Sequence, residues 1–338
     1  MNTKIAARSA LQKPAAAPPK PVAETIKRIS TDSSAIIAVT TVLLFSLACV
    51  FVNEFATVTN LRALFLSVAL VGIAAVGLSI ITIVGRLFAL SVSAMVAVST
   101  IVFASLLQSG PWAAMAAAVL FGALAGAIQG FFVGRLGTDP IVTTIAAAAI
   151  LVGFAQIVTG GRNIQGTGDA SVFGQTILGV LPLQVLAFFV LTVLAWWTHR
   201  YTVLGRRVTL VGLNEKAALV SGNRAWPVVL FAFIVSGALA GLAGGLLSSE
   251  SGQGNLQLGG TFGFDAITAV VVGGVSVKGG TGNPVGAATG AILVGLLGNA
   301  LVLLGLSYEV QLIFKGVLVL LAVVATGIAS NRQSGRKR

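Results

Sequence analysis

Seven polar or charged side chains stand in or beside otherwise apolar runs: Ser91, Thr143, Thr144, Asp265, Asn299, Gln311 and Lys315. A charge at the centre of a lipid-embedded helix costs about 2.5–3.5 kcal/mol on insertion scales, so such residues are candidates for a translocation path. Gln311 precedes Lys315 by four residues, which puts both on one helix face. Lys315 also has structural alternatives: snorkelling to the nearer interface, or pairing with Asp265 or Glu309. The serine and threonine hydroxyls have one too, bonding to their own helix. These groups offer hydrogen bonding and charge compensation rather than bond making. The chain holds one histidine, His199, and one cysteine, Cys49, so neither a histidine-rich metal site nor an internal disulfide is expected. No H-E-x-x-H, C-x-x-C or G-x-S-x-G occurs. GGTGNPVG, residues 279–286, is no phosphate loop, because Lys278 is followed by Gly279 rather than by Ser or Thr. No catalytic residue, metal or resident cofactor is expected.

The elements that must position these residues follow from composition. Of 338 residues, 56% are apolar and 9% charged, against about 25% charged in a soluble domain. A surface built from this chain cannot face water throughout. A spanning helix takes roughly 20 apolar residues, which leaves room for about ten. The fold class expected is all-α, a polytopic membrane helix bundle of about ten spans with some broken helices. The apolar runs fall at 34–53, 63–84, 87–107, 112–133, 140–159, 178–197, 227–248, 264–277, 284–304 and 310–329, the eighth being short and Gly-interrupted. Residues 1–33, basic and rich in Ala and Pro, read as a disordered tail, and 331–338 as a second basic tail. A cleaved signal peptide is not expected, since the first apolar run starts near Ser34 and is long enough to span. The membrane-spanning body is expected at 34–330.

Outside the tail, Pro111, Pro140, Pro182, Pro227 and Pro284 each stand at or near a proposed span start, where a missing N–H is harmless. With ten spans, 18 of the 21 Lys and Arg fall on one side, Arg62 and Arg162 fall on the other, and Lys315 lies within a span. That asymmetry places both termini in the cytoplasm. It also accounts for the net charge of +12 without nucleic acid, whose aromatic-plus-basic pattern is absent. Gly122, Gly126, Gly130 and Gly134, then Gly237, Gly241 and Gly245, then Gly286 and Gly290 recur at four-residue spacing. Such stripes serve close helix packing or a sliding interface. Residues 84–93 and 273–284 read as helix breaks, the second equally as a plain turn.

The longest basic loop spans 199–226. Within it Asn214 is placed to cap a short helix, EKAALV, with Glu215 in the favourable first turn. The pattern T-x-L-G-R…V-G-x-N-E-x-A-A-x-x-S-G, from Thr202 to Gly222, resembles the coupling loop of ABC-importer permeases of the ribose/xylose/galactose type. FATVTNLRAL near 55–64, Ala74-Ala75-Val76-Gly77, DPIVTTIA at 139–146, FDAITAVVVGGVSVKGGTGNPVGAATGAILVG at 264–295 and LLGLSYEVQLIFKGVLVLLAVV at 303–324 extend the resemblance over about 55–325. One stretch departs. Where the family carries G-G-I-D-L-S-V-G-S, this chain has Gly85-Arg86-Leu87-Phe88-Ala89-Leu90-Ser91-Val92-Ser93, with Ala89 for the acid and Ser93 for the glycine after Val.

The resemblance implies a permease subunit of an ATP-driven importer of a small polar solute, foremost a monosaccharide. It implies a bacterial inner membrane, a second permease copy or paralogue, a solute-binding protein on the outer side, and surrounding lipid. An ABC ATPase holding ATP and Mg in a partner chain would dock on Gly205, Arg206, Gly212, Asn214, Glu215, Ala217, Ala218, Ser221 and Gly222. The same architecture with a nucleoside, polyol, furanosyl signal or branched-chain amino acid as cargo is the alternative. A secondary transporter working without an ATPase is a second alternative. It is disfavoured because only Asp265, among nine acids, lies near a span interior. A membrane enzyme is disfavoured by the missing catalytic residues.

Overall fold

The computed structural model describes residues 33–86, 89–177 and 181–335. The expected tail 1–33 lies outside these except for its last residue, as does part of the atypical stretch at Leu87 and Phe88. The fold is all-α. In chain order the helices are α1 (Ser33–Phe51), α2 (Val58–Ile83), α3 (Val92–Leu106), α4 (Pro111–Arg135), α5 (Pro140–Thr159), α6 (Leu183–Tyr201), α7 (Val203–Leu213), α8 (Glu215–Val220), α9 (Ala225–Ser251), α10 (Phe262–Val272), α11 (Pro284–Leu303) and α12 (Tyr308–Gly335). Two-residue strands form two small ladders: β1 (Ile164–Gln165) pairs antiparallel with β4 (Gln253–Gly254), and β2 (Thr176–Ile177) with β3 (Leu181–Pro182).

Among the described residues, seven helices are long and apolar enough to cross a membrane: α2, α4, α5, α6, α9, α11, and α3 with the single 3-10 turn that follows it. Phe262–Val272 is a shorter apolar helix. Its 11 residues reach about 16 Å, roughly half of a 30 Å hydrocarbon layer. The expected span at 264–277 is therefore a half-length helix that starts two residues early and ends at Gly273.

Helix starts follow local chemistry. Pro111, Pro140 and Pro284 each occupy the first helical position. Asp139 accepts the Ile141 and Val142 N–H groups, and Asn283 accepts that of Val285. Pro182 and Pro227 stand just before α6 and at the third residue of α9.

The central helix is α2. Every residue from Val68 to Ile83 is buried, as expected of a helix that is apolar on all sides and surrounded by others. It packs against α6, α9, α10 and α11. On its far side α9 meets α4 through the glycine stripes. A Cβ on Gly122 would overlap the Gly237 carbonyl oxygen, one on Gly126 that of Phe233, and one on Gly241 that of Ala118. The two backbones touch, so the stripes serve packing here. Gly286 and Gly290 do the same for α11, against Gly273 and the Ala269 carbonyl of α10. The outer faces are apolar and exposed, for example Ile150, Phe154 and Ile157 of α5 and Phe189 of α6. Faces like these belong against lipid or another apolar chain, not water.

The bundle has two unlike ends. Segments 84–86, 136–139, 202–224 and 273–283 lie at one, with Arg86, Arg135, Arg200, Arg206, Arg207, Lys216, Arg224 and Lys278. There Arg135 sits 5.5 Å from the ring centre of Trp226, tying the end of α4 to the start of α9. The opposite end carries the ladders of β1–β4, with Arg62 and Arg162.

Candidate functional site: a junction at the basic end and a polar cavity toward the other

At the basic end α7 and α8 form an elbow. Thr202 caps α7 by accepting the Gly205 N–H, and Asn214 caps α8 by accepting that of Ala217 at 3.1 Å. The helix at Glu215–Val220 is the one expected. The eleven-residue helix α7 before it was not, because its start signal, Thr202, follows an uninterrupted helical run. Of the residues expected to couple, Gly205 and Ala218 are buried and Gly212 is half-buried, while Arg206, Asn214, Glu215, Ala217, Ser221 and Gly222 are exposed. Leu213, Leu219 and Val220 are exposed beside them, Val220 at 90%. Gly222 has φ +79°, a left-handed turn that lets the chain return to α9.

The elbow is fastened to the bundle by backbone contact. Gly85, Gly212, Gly279 and Gly280 meet at one point, where a Cβ on Gly212 would overlap the Ile83 carbonyl. Gly280 N–H donates to that same carbonyl at 2.8 Å. So 273–283 is a turn at the basic end, and it joins the end of α2 to the elbow. Alongside, Arg86 Nη2 lies 2.8 Å from Glu215 Oε2. The glutamate side chain is 51% exposed, so the pair adds only about 0.5–1 kcal/mol. Arg86→Gln and Glu215→Gln are each expected to speed amide exchange in α8 by severalfold, with the charge-swapped double variant restoring protection; unchanged exchange would show the pair idle. Asn214→Ala removes the cap from a six-residue helix that cannot persist alone. A loss of about 1 kcal/mol, read as loss of nearly all exchange protection over 215–220, is expected.

Above this junction lies the break that sequence inspection missed. After α9 the chain turns back through β4 and an irregular stretch, 255–261, running antiparallel beside α3. Thr100 Oγ1 accepts the Asn255 N–H at 3.1 Å and donates to its carbonyl at 3.2 Å. Gly259 packs on Ala97, and Gly263 N–H donates to Ser93 Oγ at 2.9 Å. Backbone outside a helix needs partners elsewhere, and α3 supplies them: Thr100 for Asn255 in this stretch, and Ser93 for Gly263 at the start of α10. Ser93, the departure from the family pattern, is thus the anchor for the start of α10. Ala89, which replaces the acid, is buried.

The seven candidate path residues separate into two sets. Ser91 Oγ donates to Gln129 Oε1 at 2.6 Å, and Leu90 N–H donates to Thr144 Oγ1 at 3.2 Å, so α3, α4 and α5 are cross-linked there. Gln129 carries no sequence signal, since nothing in its apolar run points to a partner 38 residues away. Thr143 bonds Thr138 and the Asp139 carbonyl at the exposed start of α5.

Asp265, Asn299, Gln311 and Lys315, by contrast, line one cavity of about 290 Å³ between α2, α10, α11 and α12. Lys315 Nζ lies 2.6 Å from Asp265 Oδ1, with both side chains nearly buried at 9% and 13% exposure. The partner of Lys315 is Asp265 and not Glu309. Gly298 faces the lysine stem, 3.9 Å from where a Cβ would sit. Asn299 exchanges two hydrogen bonds with Asn60 of α2 at 2.8 and 3.1 Å, clamping α2 to α11. Gln311 Nε2 donates to the Leu306 carbonyl. Ala63 and Ser67 form an exposed edge of the cavity. Beyond α5, Asp169 is held below the usual carboxylate range by hydrogen bonds from Ser171. No cluster of His, Cys, Asp or Glu able to hold a metal occurs among the described residues.

Residues 60–323 match the family model described as branched-chain amino acid transport system / permease component. The chain is also 32% identical over 270 residues to the ribose import permease protein of Bacillus subtilis, covering 78% of this chain and 84% of that one. It is 32% identical over 278 residues to the ribose import permease protein of Escherichia coli K12 (80% and 86%), and 31% identical over 288 residues to the L-arabinose transport system permease protein of the same strain (83% and 86%). No solved structure matches significantly. With an all-α bundle of spanning length, apolar outer faces and a match over most of its length, the chain belongs to the branched-chain amino acid transport system / permease component family and is a multi-pass membrane permease.

Proposed function

We propose that this chain is the permease subunit of an ATP-driven importer of a monosaccharide in a bacterial inner membrane. The observation that carries the reading is the α7–α8 elbow. It is a capped helix pair outside the spans, exposing Leu213, Leu219 and Val220, with a rigid backbone link to α2 and the 273–283 turn. An exposed apolar tip needs a partner, and the glycine junction lets displacement of that partner reach the bundle. The partner is an ABC ATPase, which binds ATP and Mg; this chain binds neither. Gly205, Arg206, Gly212, Asn214, Glu215, Ala217, Ala218, Ser221 and Gly222 form or support the docking surface. A solute-binding protein delivers cargo at the opposite end, and a second permease copy or paralogue completes the path.

The same reading orders the membrane crossings. Ten crossings result if 252–261 and α10 together make the eighth, with both termini on the basic side, which is then cytoplasmic. A wholly apolar crevice of about 390 Å³ between α1, α2, α6 and α11 is suited to lipid chains. Relatives named for ribose, L-arabinose and D-allose support a monosaccharide as cargo. Branched-chain amino acids, named in the family description, remain the second reading.

A pull-down of the tagged chain in mild detergent, with bound proteins identified by mass spectrometry, tests this. Recovery of an ABC ATPase that is lost with Asn214→Ala and with Leu219→Asp is expected. Intact permease without an ATPase, under conditions that keep a known importer together, would remove the docking assignment.

A further inference from the structure

We infer that the cavity between α2, α10, α11 and α12 is a transit site for a neutral polyhydroxyl solute of five or six carbons, and that the Asp265–Lys315 pair holds it. This deepens the importer reading and rests on it.

The pair is internally neutral: one carboxylate and one ammonium lie 2.6 Å apart. Neither charge is left for a charged solute. A zwitterionic amino acid would have to desolvate two full charges in a nearly buried site whose own charges already compensate each other, and a sugar acid or phosphate would bring an uncompensated charge. A polyol does neither. Its hydroxyls both donate and accept, and the cavity offers both functions. Among the described residues the Asp265 carboxylate is bonded only by Lys315, at Oδ1, which leaves Oδ2 as acceptor. Lys315 retains two further N–H donors. Gln311 is held through Nε2 by the Leu306 carbonyl, which leaves its Oε1. Asn299 is held by its two hydrogen bonds with Asn60 and serves as the clamp beside the site.

Size selects further. About 290 Å³ stands at the bottom of the roughly 300–1,000 Å³ range of small-molecule pockets, which suits one sugar ring and not an oligosaccharide. Among the described residues no aromatic ring lines the cavity, so none of them stacks on a base or a sugar face. Binding is accordingly weak, as a site on a conducting path requires for release. The cavity also sits where access must change. Asp265 is on the first turn of α10, whose start is anchored to α3 through Gly263 and Ser93. The same α10 ends at Gly273, where the turn to the elbow begins. Movement at the elbow therefore acts on the helix that carries the carboxylate.

The test uses the full chain in membrane vesicles, with Cys49→Ala to remove the one native thiol and Ser67→Cys to place a reporter at the cavity edge. Labelling by a water-soluble maleimide is followed with D-ribose, L-arabinose, D-allose, L-leucine or gluconate present. One or more of the sugars is expected to slow labelling, by about fivefold at about four times its Kd, while leucine and gluconate leave the rate unchanged. In Asp265→Leu/Lys315→Met, whose apolar pair keeps the fold, labelling is expected to proceed at the unprotected rate with every sugar. Protection by leucine or gluconate, protection surviving in that double variant, an unreactive reporter thiol, or absence of protection by all three sugars would each overturn the site. These outcomes are separate from the ATPase pull-down. Partner recovery without sugar protection leaves the importer and removes the site, and sugar protection without partner recovery does the reverse.

Discussion

Lys315→Met is expected to lose most of the folded protein, by about 3 kcal/mol, while Asp265→Leu/Lys315→Met recovers it. The single change leaves a nearly buried carboxylate without its counter-charge, and breaking one side of such a pair costs about 3–5 kcal/mol. The lower figure applies because Asp265 touches a cavity edge and can take up a proton. Replacing both partners removes the orphan and fills similar volume with apolar groups, which is often neutral or stabilising. The check is the yield and apparent melting temperature of the detergent-solubilised chain. Equal stability in the single and double variants would show that the pair is solvated and contributes nothing to the fold.

Gly122→Leu is expected to be as damaging for a different reason. The carbonyl of Gly237 occupies the position its Cβ would take, and that atom is backbone, so no rotamer change relieves the overlap. Helices α4 and α9 would have to part along a seam that also includes Gly126, Phe233, Gly241 and Ala118. Overpacking of a tight interface costs about 1–3 kcal/mol, and a clash between two backbones belongs at or above the upper end. Gly153→Leu is the control, with nothing within 4 Å of its Cβ position. Little monodisperse protein for Gly122→Leu beside wild-type yield for Gly153→Leu is expected. Equal yields would mean that the α4–α9 seam is loose enough to slide.

What could be read from the sequence was what neighbouring residues decide. The prolines at 111, 140 and 284 and the Asn214 cap act within one helical turn, and the α4 and α9 glycines repeat on one face; each landed where expected. Whatever depends on contacts between distant parts of the chain stayed hidden. The 252–261 segment is glycine-rich and polar, so it reads as a surface loop. It packs along α3 instead, with Gly254, Asn255 and Gly259 buried, because the Thr100 hydroxyl, 155 residues before Asn255, satisfies the Asn255 backbone. Likewise the eighth apolar run reads as 264–277, whereas the helix occupies only Phe262–Val272. The Lys315–Asp265 pairing was one of the alternatives the sequence left open, and its geometry settled which acid is the partner. Arg86 and Glu215 are 129 residues apart, and nothing short of the fold joins them.

The most direct measurement is uptake of radiolabelled D-ribose, L-arabinose, D-allose and L-leucine into proteoliposomes holding this chain with its co-purified ATPase and binding protein. Uptake of a sugar that requires internal ATP, and that ceases when the ATPase is omitted or inactivated, is the expected result. Sugar uptake that persists without the ATPase and follows an ion gradient would contradict the importer account, and ATP-driven uptake of leucine in place of the sugars would contradict its cargo.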